Sequence, residues 1–268
     1  IINKIKKIKT FNGKFTVYLH EKSEKLIKIQ KKNLNDFNNI IWVKNINKIN
    51  QDPTIIVANE FFDAFPIKQF FKEKNSWYEQ CVAFDNNDKK NITYYKNKIN
   101  NSSLKKYSNF YNINKSKTLE YPMNIETYIN SISKIIKKNN GIFLMFDYGY
   151  SSVLGKNTIK AIRKHKTVDL LKEYTNCDIT FDINFNILKN IFKRNNVQNI
   201  GIVSQNFFLQ KLGIMERADQ IIKKQDALSS KNLILSINKL INPKEMGSAF
   251  HALAFSNKNC KFNLGFIK

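Results

Sequence analysis

The stretch TIIVANEFFDAFP, residues 54–66, decides the fold. Its first five residues form a run, β-branched in its first four positions, that predicts a buried parallel strand. The run ends abruptly in polar and acidic residues set among phenylalanines. Ligands of open α/β sheets bind just beyond the carboxyl ends of the strands, and Asn59, Glu60 and Asp63 follow this strand directly. The mixture predicts a wall that is apolar enough to exclude water and polar enough to orient a substrate.

Strands and helices alternate along much of the chain, which predicts an α/β fold with a doubly wound, Rossmann-like parallel sheet. The expected strands are Phe15–Leu19, Ile40–Val43, Thr54–Ala58, Gly141–Phe146 and Asn199–Val203. The expected helices are residues 1–9 (the back half of an amphipathic helix), Ser23–Leu34 with Ser23 as its cap, Ile125–Lys138, Phe185–Asn195 and Phe207–Lys224. The expected closing hairpin pairs Phe250–Ser256 with Phe262–Ile267.

The pattern changes between residues 73 and 124, where shorter strand-like pieces, Trp77–Phe84 and Asn91–Tyr95, precede a polar loop. We therefore expect residues 1–72 to form part of the Rossmann-like core, residues 73–124 to form an inserted smaller subdomain, and residues 125–268 to complete the core. Residues 151–184 are expected to be rich in loops.

Composition argues against specific recognition of nucleic acid. The formal net charge is +24, yet only three of the 45 basic residues are arginine. Arginine is the residue that makes bidentate hydrogen bonds to guanine and phosphate. The lysines are scattered among asparagine and isoleucine, residues that A/T-rich codons specify, so genome composition accounts for the excess. The alternative explanation of the excess of lysine is an electrostatic attraction to acidic partners.

The hydrophobic pattern and the cysteine content limit the class of protein further. No apolar run approaches the roughly 18 residues needed to span a bilayer, so no membrane span is expected. The three cysteines are far apart and odd in number, which disfavours a disulfide framework or a zinc site. A reducing compartment is therefore expected.

Ordered blocks of sequence along almost the whole chain point to one family. The blocks are NEFFDAFP (59–66), WYE (77–79), FDYGY (146–150), RKHK (163–166), DIT (178–180) with NF (184–185), QNFFL (205–209) with LGI (212–214), and MGSAF (246–250) with ALA (252–254). Together they resemble the MidA family of class I S-adenosylmethionine-dependent methyltransferases. Any one block is weak evidence, whereas their common order is specific.

The resemblance implies an S-adenosylmethionine cofactor and methylation of a protein arginine. The family's mitochondrial member methylates an arginine of a core complex I subunit during complex I assembly, so the implied partner is a protein substrate, with a complex I subunit as a candidate. The implied location is the mitochondrial matrix of a eukaryote or the cytoplasm of a bacterium. Two alternatives stay open: a non-catalytic assembly or binding protein on a methyltransferase fold, and a nucleic-acid methyltransferase.

Glu21 is the candidate cofactor-binding residue. In class I methyltransferases an acidic residue after the second strand accepts from the ribose hydroxyls of the cofactor. Glu21 follows the expected strand Phe15–Leu19, and the segment HEKS (20–23) is similar to the family's Val-Glu-x-Ser segment. The alternative is a surface glutamate near a helix N-terminus.

The glycine-rich turn that brings the backbone close to the cofactor has no candidate, because Gly13 is the only glycine before Gly141. The family places this turn just upstream of the point where the chain begins. We therefore expect a fragment that lacks the first strand, which belongs at the centre of the sheet, together with its glycine loop. Such a fragment is expected to bind the cofactor poorly or not at all.

Asn59, Glu60 and Asp63 are the candidate catalytic residues. Methyl transfer is an in-line displacement at a sulfonium, so the enzyme positions the nucleophile and handles its charge. Carboxylates that accept hydrogen bonds from two nitrogens of a guanidinium would localise its positive charge there. The third nitrogen would then be free to attack the methyl group. The alternative is that these residues cap a helix that follows the strand.

Asp147, Tyr148 and His165 are the candidate substrate-binding residues. Asp147 and Tyr148 follow the strand Gly141–Phe146 and are expected to face the same crevice, with Gly149 allowing a sharp turn. His165 lies in the RKHK block, although a lone histidine is more often a structural hydrogen-bonding residue than a base.

The segment 178–184 supplies further polar residues. Asp178, Thr180 and Asp182 form a polar cluster, but metal-ligand spacing is absent and no metal site is expected. Asn184 stands where the family has an aspartate, so no role is carried over to that position.

Overall fold

The computed structural model describes residues 2–5, 7–8, 14–50, 52–85, 92–261 and 263–267. The chain divides into two compact units, Ile1–Gln51 and Asp52–Lys268. The division into residues 1–72, 73–124 and 125–268 rests on sequence pattern and stays a prediction.

The first unit is a β-α-β element. It contains helix α1 (Ile2–Ile5), strand β1 (Val17–His20), helix α2 (Glu24–Asn33), strand β2 (Ile40–Val43) and a 3-10 turn (Ile46–Lys48). β1 and β2 pair in parallel, and α2 lies between them in the chain with Ile27 buried. The Ser23 hydroxyl accepts from the backbone N–H of Leu26 at 3.3 Å, so Ser23 caps α2 as predicted. Ile1, Lys6 and Lys9 of the expected N-terminal helix lie outside the described residues.

The second unit, over its described residues, has three sheets with helices around them. Its strands are β3 (Ile55–Asn59), β4 (Ile67–Glu73), β5 (Ser76–Phe84), β6 (Ile92–Ile99), β7 (Thr118–Pro122), β8 (Ile142–Tyr150), β9 (Lys160–Arg163), β10 (Lys166–Val168), β11 (Asp178–Thr180), β12 (Ile183–Asn184), β13 (Gln198–Ser204) and β14 (Phe250–Ser256). Its helices are α3 (Asn101–Leu104), α4 (Ile125–Lys138), α5 (Leu170–Glu173), α6 (Phe185–Arg194), α7 (Gln205–Lys211), α8 (Ile214–Ile222), α9 (Ala227–Ile241) and α10 (Met246–Ala249). A 3-10 turn covers Lys105–Asn109.

The central sheet of this unit is built around β8. β3 pairs with β8 in parallel, starting with Ile55 opposite Ile142. β12 also pairs with β8 in parallel, beside Gly149. β14 lies antiparallel between β8 and β13. The sheet therefore combines parallel strands with one reversed strand near its edge.

Different helices cover the two faces of the central sheet. On one face Phe143 of β8 and Phe255 of β14 pack against Phe192 of α6, whose ring stacks on Phe255 with 4.0 Å between centroids. On the other face Phe146 packs against Phe208 of α7 at 5.4 Å. Successive strand residues point to opposite faces, so β8 contributes to both layers of core. Helices on both faces confirm the predicted doubly wound α/β fold.

Residues 67–122 contain an antiparallel sheet with the strand order β6-β5-β4-β7. The predicted strand-like pieces Trp77–Phe84 and Asn91–Tyr95 fall in β5 and β6, with Asn91 outside the described residues. The sheet begins at Ile67, directly after the turn that follows β3. The stretch that carries the candidate catalytic residues therefore connects the central sheet to the antiparallel sheet.

β3 is not the buried strand that was predicted. Ile55 and Val57 are 75% and 52% exposed. In the described part of the chain β3 pairs with β8 alone, which makes it an edge strand. β-branched residues favour a strand whether it lies at the edge or at the centre of a sheet. The run therefore predicted the strand but not its exposure.

The expected helix Phe207–Lys224 is two helices, because α7 ends at Lys211 and α8 begins at Ile214. Gly213 between them has a φ of 77°, a conformation that side chains with a Cβ rarely adopt. No sequence pattern predicted α9. Only Ile237 of its 15 residues is buried, so its apolar residues do not form the regular buried stripe of a core helix.

The predicted closing hairpin is wrong. β14 already has β8 on one side and β13 on the other, so no free edge remains for residues 262–267. Residues 264–266 form a turn, and Phe266 packs against Phe208 with 5.1 Å between ring centroids. Phe262 lies outside the described residues.

The expected loop region 151–184 is more ordered than predicted. β9 pairs antiparallel with β10 and β11 to form a small sheet, and β12 joins the central sheet. Residues 151–159, hereafter the β8–β9 loop, contain neither helix nor strand.

Candidate active site

The candidate site lies where β3 ends beside β8. The two strands are parallel with Asn59 opposite Phe146, and β8 continues past this point to Tyr150, so Asp147 and Tyr148 lie just beyond the end of β3. The Glu60 backbone N–H donates to the carbonyl of Phe146 at 2.9 Å, which continues the pairing past the end of β3. Residues 60–66 then turn into β4 without an intervening helix. The alternative that the polar residues of this stretch cap a following helix is therefore wrong.

Asp63 is the centre of a buried hydrogen-bonded group. Its side chain is 8% exposed, and its Oδ2 atom accepts from the Tyr148 hydroxyl at 2.5 Å and from the Thr180 hydroxyl at 3.0 Å. The two hydroxyls also contact each other. The Oδ1 atom of Asp63 is buried and has no hydrogen-bond partner. We call Asp63, Tyr148 and Thr180 the Asp63 cluster, which the turn after β3, the end of β8 and β11 bring together.

Asp147 lies beside this cluster and is fully buried. Its Oδ2 atom accepts from the Phe62 backbone N–H at 3.4 Å, and its Oδ1 atom accepts from the N–H of Tyr148 at 3.0 Å. Burial, and after it the nearby charge of Asp63, raises the pKa of Asp147 to about 8. Near neutral pH the site therefore holds a protonated carboxyl group beside Asp63.

Tyr148 remains a hydrogen-bond donor over the physiological pH range. Burial, and next the hydrogen bond to Asp63, raises the pKa of its hydroxyl above the ordinary value for tyrosine. The ring of Tyr148 packs edge-on against Phe250 at 5.3 Å, which fixes its direction. Asp147 and Tyr148 do not follow the strand as predicted, because β8 continues to Tyr150 and Gly149 pairs with Ile183 of β12 in place of the expected sharp turn. Their role in substrate binding stays a prediction.

Asn59 and Glu60 are exposed at the same edge of the sheet. The Asn59 amide donates to Glu60 Oε1 at 3.1 Å. Glu60 has a φ of 47°, a left-handed conformation that is uncommon for a residue with a side chain. Such conformations concentrate at functional sites, where the surrounding structure holds them in place.

The phenylalanines of the stretch pack into an aromatic group. Phe61 contacts Phe62 and Phe65 with ring centroids 5.0 and 5.4 Å apart, and Tyr128 of α4 lies 5.1 Å from Phe65. Phe62 is fully buried, whereas Phe61 and Phe65 are half-buried. The group forms an apolar cluster at residues next to Asp63 in the chain, and its part in excluding water from a substrate stays a prediction.

Glu21 belongs to the first unit and lies directly after β1. Its Oε1 atom accepts from the backbone N–H groups of Lys22 and Ser23, both at 2.8 Å. Its Oε2 atom has a longer contact of 3.5 Å with the amide of Gln30, which in turn accepts from the indole N–H of Trp42 at 2.8 Å. The carboxylate is therefore held at the carboxyl end of a strand, as predicted, and is not a freely moving surface group.

His165 lies elsewhere in the fold. It forms, with Lys164, the exposed two-residue turn between β9 and β10, and both residues have positive φ. Over the described residues His165 has no hydrogen bond to the Asp63 cluster. Its role in substrate binding stays a prediction.

Three residues without a predicted role lie at or beside the site. Thr180, predicted only as a member of a polar cluster, donates to Asp63. Lys160 Nζ lies 3.0 Å from Asp182 Oδ1 and 5.1 Å from the Tyr148 ring centre. His251 of β14 pairs with Asp147, and burial lowers its pKa. These neighbours depend on strand pairings between distant segments, so no local pattern could have revealed them.

Two negative findings apply to the described part of the chain only. There, no group of three or more His, Cys, Asp or Glu side chains is arranged to hold a metal ion. In the same residues, no helix combines the length and the apolar character needed to cross a membrane.

Comparison with known sequences gives one family and a set of named relatives. Residues 1–203 match the profile of a family described as "putative S-adenosyl-L-methionine-dependent methyltransferase". A Caenorhabditis elegans protein named protein arginine methyltransferase NDUFAF7 homolog, mitochondrial, is 31% identical over 84% of the chain and 53% of its own length. Its Drosophila melanogaster counterpart is 26% identical over 80% of the chain and 49% of its own length. The chain thus spans about half the length of the curated relatives it matches.

Two crystal structures of Burkholderia thailandensis proteins share the fold. Their TM-scores are 0.79 and 0.74, and each is 18% identical to the chain. Both cover 94% of the chain, with 69% and 65% of their own lengths. The second of these proteins was solved with S-adenosyl-homocysteine bound. At this identity the likeness shows the fold alone, and it agrees with the predicted methyltransferase sheet.

Proposed function

The chain belongs to the family of S-adenosyl-L-methionine-dependent methyltransferases that its sequence resembles, and from this premise we propose that the protein methylates an arginine side chain of another protein. The observation that carries the proposal is the Asp63 carboxylate, which is buried and has no partner for its Oδ1 atom. An unpaired buried carboxylate oxygen is unfavourable, and a guanidinium N–H supplies the missing donor. Relatives named as protein arginine methyltransferases support the same substrate group.

Glu21 is the residue that fits the cofactor. Its Oε1 atom is held by two backbone N–H groups, while the 3.5 Å contact at Oε2 is too long for a strong hydrogen bond. Oε2 can therefore accept from a ribose hydroxyl of S-adenosylmethionine. When bound, this cofactor supplies an electrophilic methyl group on its sulfonium.

The residues around Asp63 would hold and orient the guanidinium. Tyr148 and Thr180 already donate to Oδ2, so Oδ1 is the atom left for the substrate. Glu60 offers a second carboxylate, which the Asn59 amide directs. Two carboxylates that bind two guanidinium nitrogens concentrate positive charge there and leave the third nitrogen as the nucleophile.

The proposal extends to partner and location. A complex I subunit is the candidate substrate that the family resemblance implies, and the site's anionic groups suit any exposed arginine. Relatives named as mitochondrial support the mitochondrial matrix if the source is a eukaryote. The bacterial cytoplasm is the corresponding proposal for a bacterial source.

The test is transfer of a labelled methyl group from S-adenosylmethionine by the full-length protein. The acceptors are an arginine peptide from a complex I subunit and the matched peptide with that arginine replaced by lysine. Label on the arginine peptide alone is the expected result. Cofactor binding without transfer to either peptide would favour the non-catalytic assembly protein, and label on nucleic acid would favour the nucleic-acid methyltransferase.

A further inference from the structure

Glu120 of β7 is a buried carboxylate with no part in the chemistry proposed above. It is 3% exposed and accepts four hydrogen bonds. The donors are Gln69 Nε2 at 2.6 Å, the Thr158 N–H at 2.8 Å, the Ile159 N–H at 3.1 Å and the Thr158 hydroxyl. A charge at this depth requires such donors, because burial without them is strongly unfavourable. We call Glu120 with Gln69, Thr158 and Ile159 the Glu120 clasp.

The clasp holds the β8–β9 loop against the antiparallel sheet and its flanking segments. The same loop is fastened nearby, where the Asn112 N–H donates to the Val153 carbonyl at 2.7 Å and the Gly155 N–H donates to Ser116 Oγ at 3.3 Å. A Cβ on Gly155 would lie 1.8 Å from the carbonyl oxygen of Thr118, so only glycine permits this approach. The loop is therefore seated by backbone contact as well as by Glu120.

Thr158 connects the clasp to the Asp63 cluster. Its hydroxyl donates to Glu120 and accepts from the Asp182 backbone N–H at 3.0 Å. Asp182 lies two residues after Thr180, the residue that donates to Asp63. The strand that follows the loop makes a second connection, because Lys160 of β9 pairs with Thr180 of β11.

We propose that Glu120 is a positioning residue, which acts through Thr158 to set Thr180 against Asp63. This inference rests on the proposed function, because it assigns the Asp63 carboxylate to the substrate. Without the clasp, the β8–β9 loop loses its charged anchor, and the segment that carries Thr180 loses the support of the Thr158 hydroxyl. Small displacements of groups that orient a nucleophile lower the rate strongly.

A carboxylate that only stabilises the fold would behave differently. Its loss would lower the melting temperature and leave the chemistry of the folded molecules unchanged. A positioning residue changes the catalytic step in molecules that remain folded, and the environment of Asp63 changes with it. The Thr158 hydroxyl offers the sharper test, because valine has nearly the same shape and serine keeps the hydroxyl.

The experiment compares Thr158→Val with Thr158→Ser in the full-length protein. Single-turnover methyl transfer is expected to fall roughly tenfold or more in T158V, with the KM for S-adenosylmethionine unchanged and T158S close to the parent. Glu120→Gln retains an acceptor oxygen and is expected to fall between the two. A T158V rate equal to that of T158S would overturn the inference.

A second measurement separates this inference from the proposed function. The carbon-13 chemical shift of the Asp63 carboxyl group at one fixed pH is expected to change in T158V and in E120Q and to remain as in the parent in T158S. Hydrogen exchange at the Asp182 amide is expected to be faster in T158V. If the parent transfers no methyl group, the proposed function fails while the chemical shift still decides the inference. Identical chemical shifts in all variants would contradict it.

Discussion

At the scale of single residues, the site sets two neighbouring carboxyl groups in unlike surroundings. Asp63 accepts from the hydroxyls of Tyr148 and Thr180, whereas Asp147 accepts from backbone N–H groups in a fully buried position. Burial and the charge of Asp63 keep a proton on Asp147 up to a pKa of about 8. Unlike surroundings of two adjacent acids are typical of sites in which the two have different roles.

The raised pKa of Asp147 predicts a pH dependence of stability. Between the ordinary carboxyl pKa of 3.8 and about 8, the folded state holds a proton that the unfolded state has lost. The free energy of unfolding contributed by this group therefore falls as the pH rises through that window. Asp147→Asn removes the titration, so its unfolding free energy is expected to lack this decline.

Denaturant titrations at several pH values check this expectation. Asp219→Asn, at an exposed aspartate of the same unit, is the matched control and is expected to follow the parent. Parallel pH curves for the parent and D147N would show that the pKa of Asp147 is not raised.

At the scale of elements, Gly213 decides where one helix ends and the next begins. Its φ of 77° is strained for any residue with a Cβ, so Gly213→Ala is expected to lower the free energy of unfolding by about 1 kcal/mol. Gly213→Asn is expected to cost less, because asparagine tolerates the left-handed conformation. Urea denaturation of both variants measures the difference, and equal stability of parent and G213A would contradict the assignment.

Elements with a strong local pattern could be predicted from the sequence. α4 buries Ile125, Ile129, Ile132 and Ile136 at helical spacing, and its predicted bounds match the observed ones. β14 was also recognised as a strand, but its neighbours were not. Its place between β8 and β13 is set by pairing between distant segments, and local sequence carries no record of such pairing.

The candidate site, like the fold, could be predicted where the local sequence pattern is strong and not where it depends on contacts between distant segments. The stretch after β3 was identified because a strand end is visible in the sequence, whereas Asp147 and Tyr148 were identified although β8 continues beyond them. Thr180 and Glu120 were not assigned roles, because their partners are distant in the chain: Asp63 for Thr180, and Gln69 and Thr158 for Glu120. The exposure of β3 was missed for a related reason, since a β-branched run does not show how many neighbours a strand has.

At the scale of the whole molecule, net charge is a poor guide to function. The chain carries a formal charge of +24, but its lysines are dispersed and arginine is rare. We expect binding to nucleic acid to be weak, nonspecific and lost at physiological salt. An electrophoretic shift assay over a salt series measures this, and tight sequence-selective binding that persists in salt would overturn it.

Family, fold and site together make arginine methylation the central claim for the molecule. The family is shown by sequence and the sheet by structure, whereas arginine methylation at the end of β3 is the proposal made here. Asp63 is the group on which this depends, and Glu60 is its exposed companion. The proposal assigns the cofactor to Glu21 and the substrate to Asp63 and Glu60, so substrate handling and cofactor binding can be measured separately.

Single-turnover methylation of an arginine peptide by the full-length parent and Asp63→Asn tests this claim most directly. The asparagine keeps the shape of the side chain and removes the charge that pairs with the guanidinium. The expected rate loss is on the order of a hundredfold, with a smaller loss in Glu60→Gln and an unchanged affinity for S-adenosylmethionine in both. A D63N variant that methylates arginine at the parent rate would contradict the account and move the active site away from Asp63.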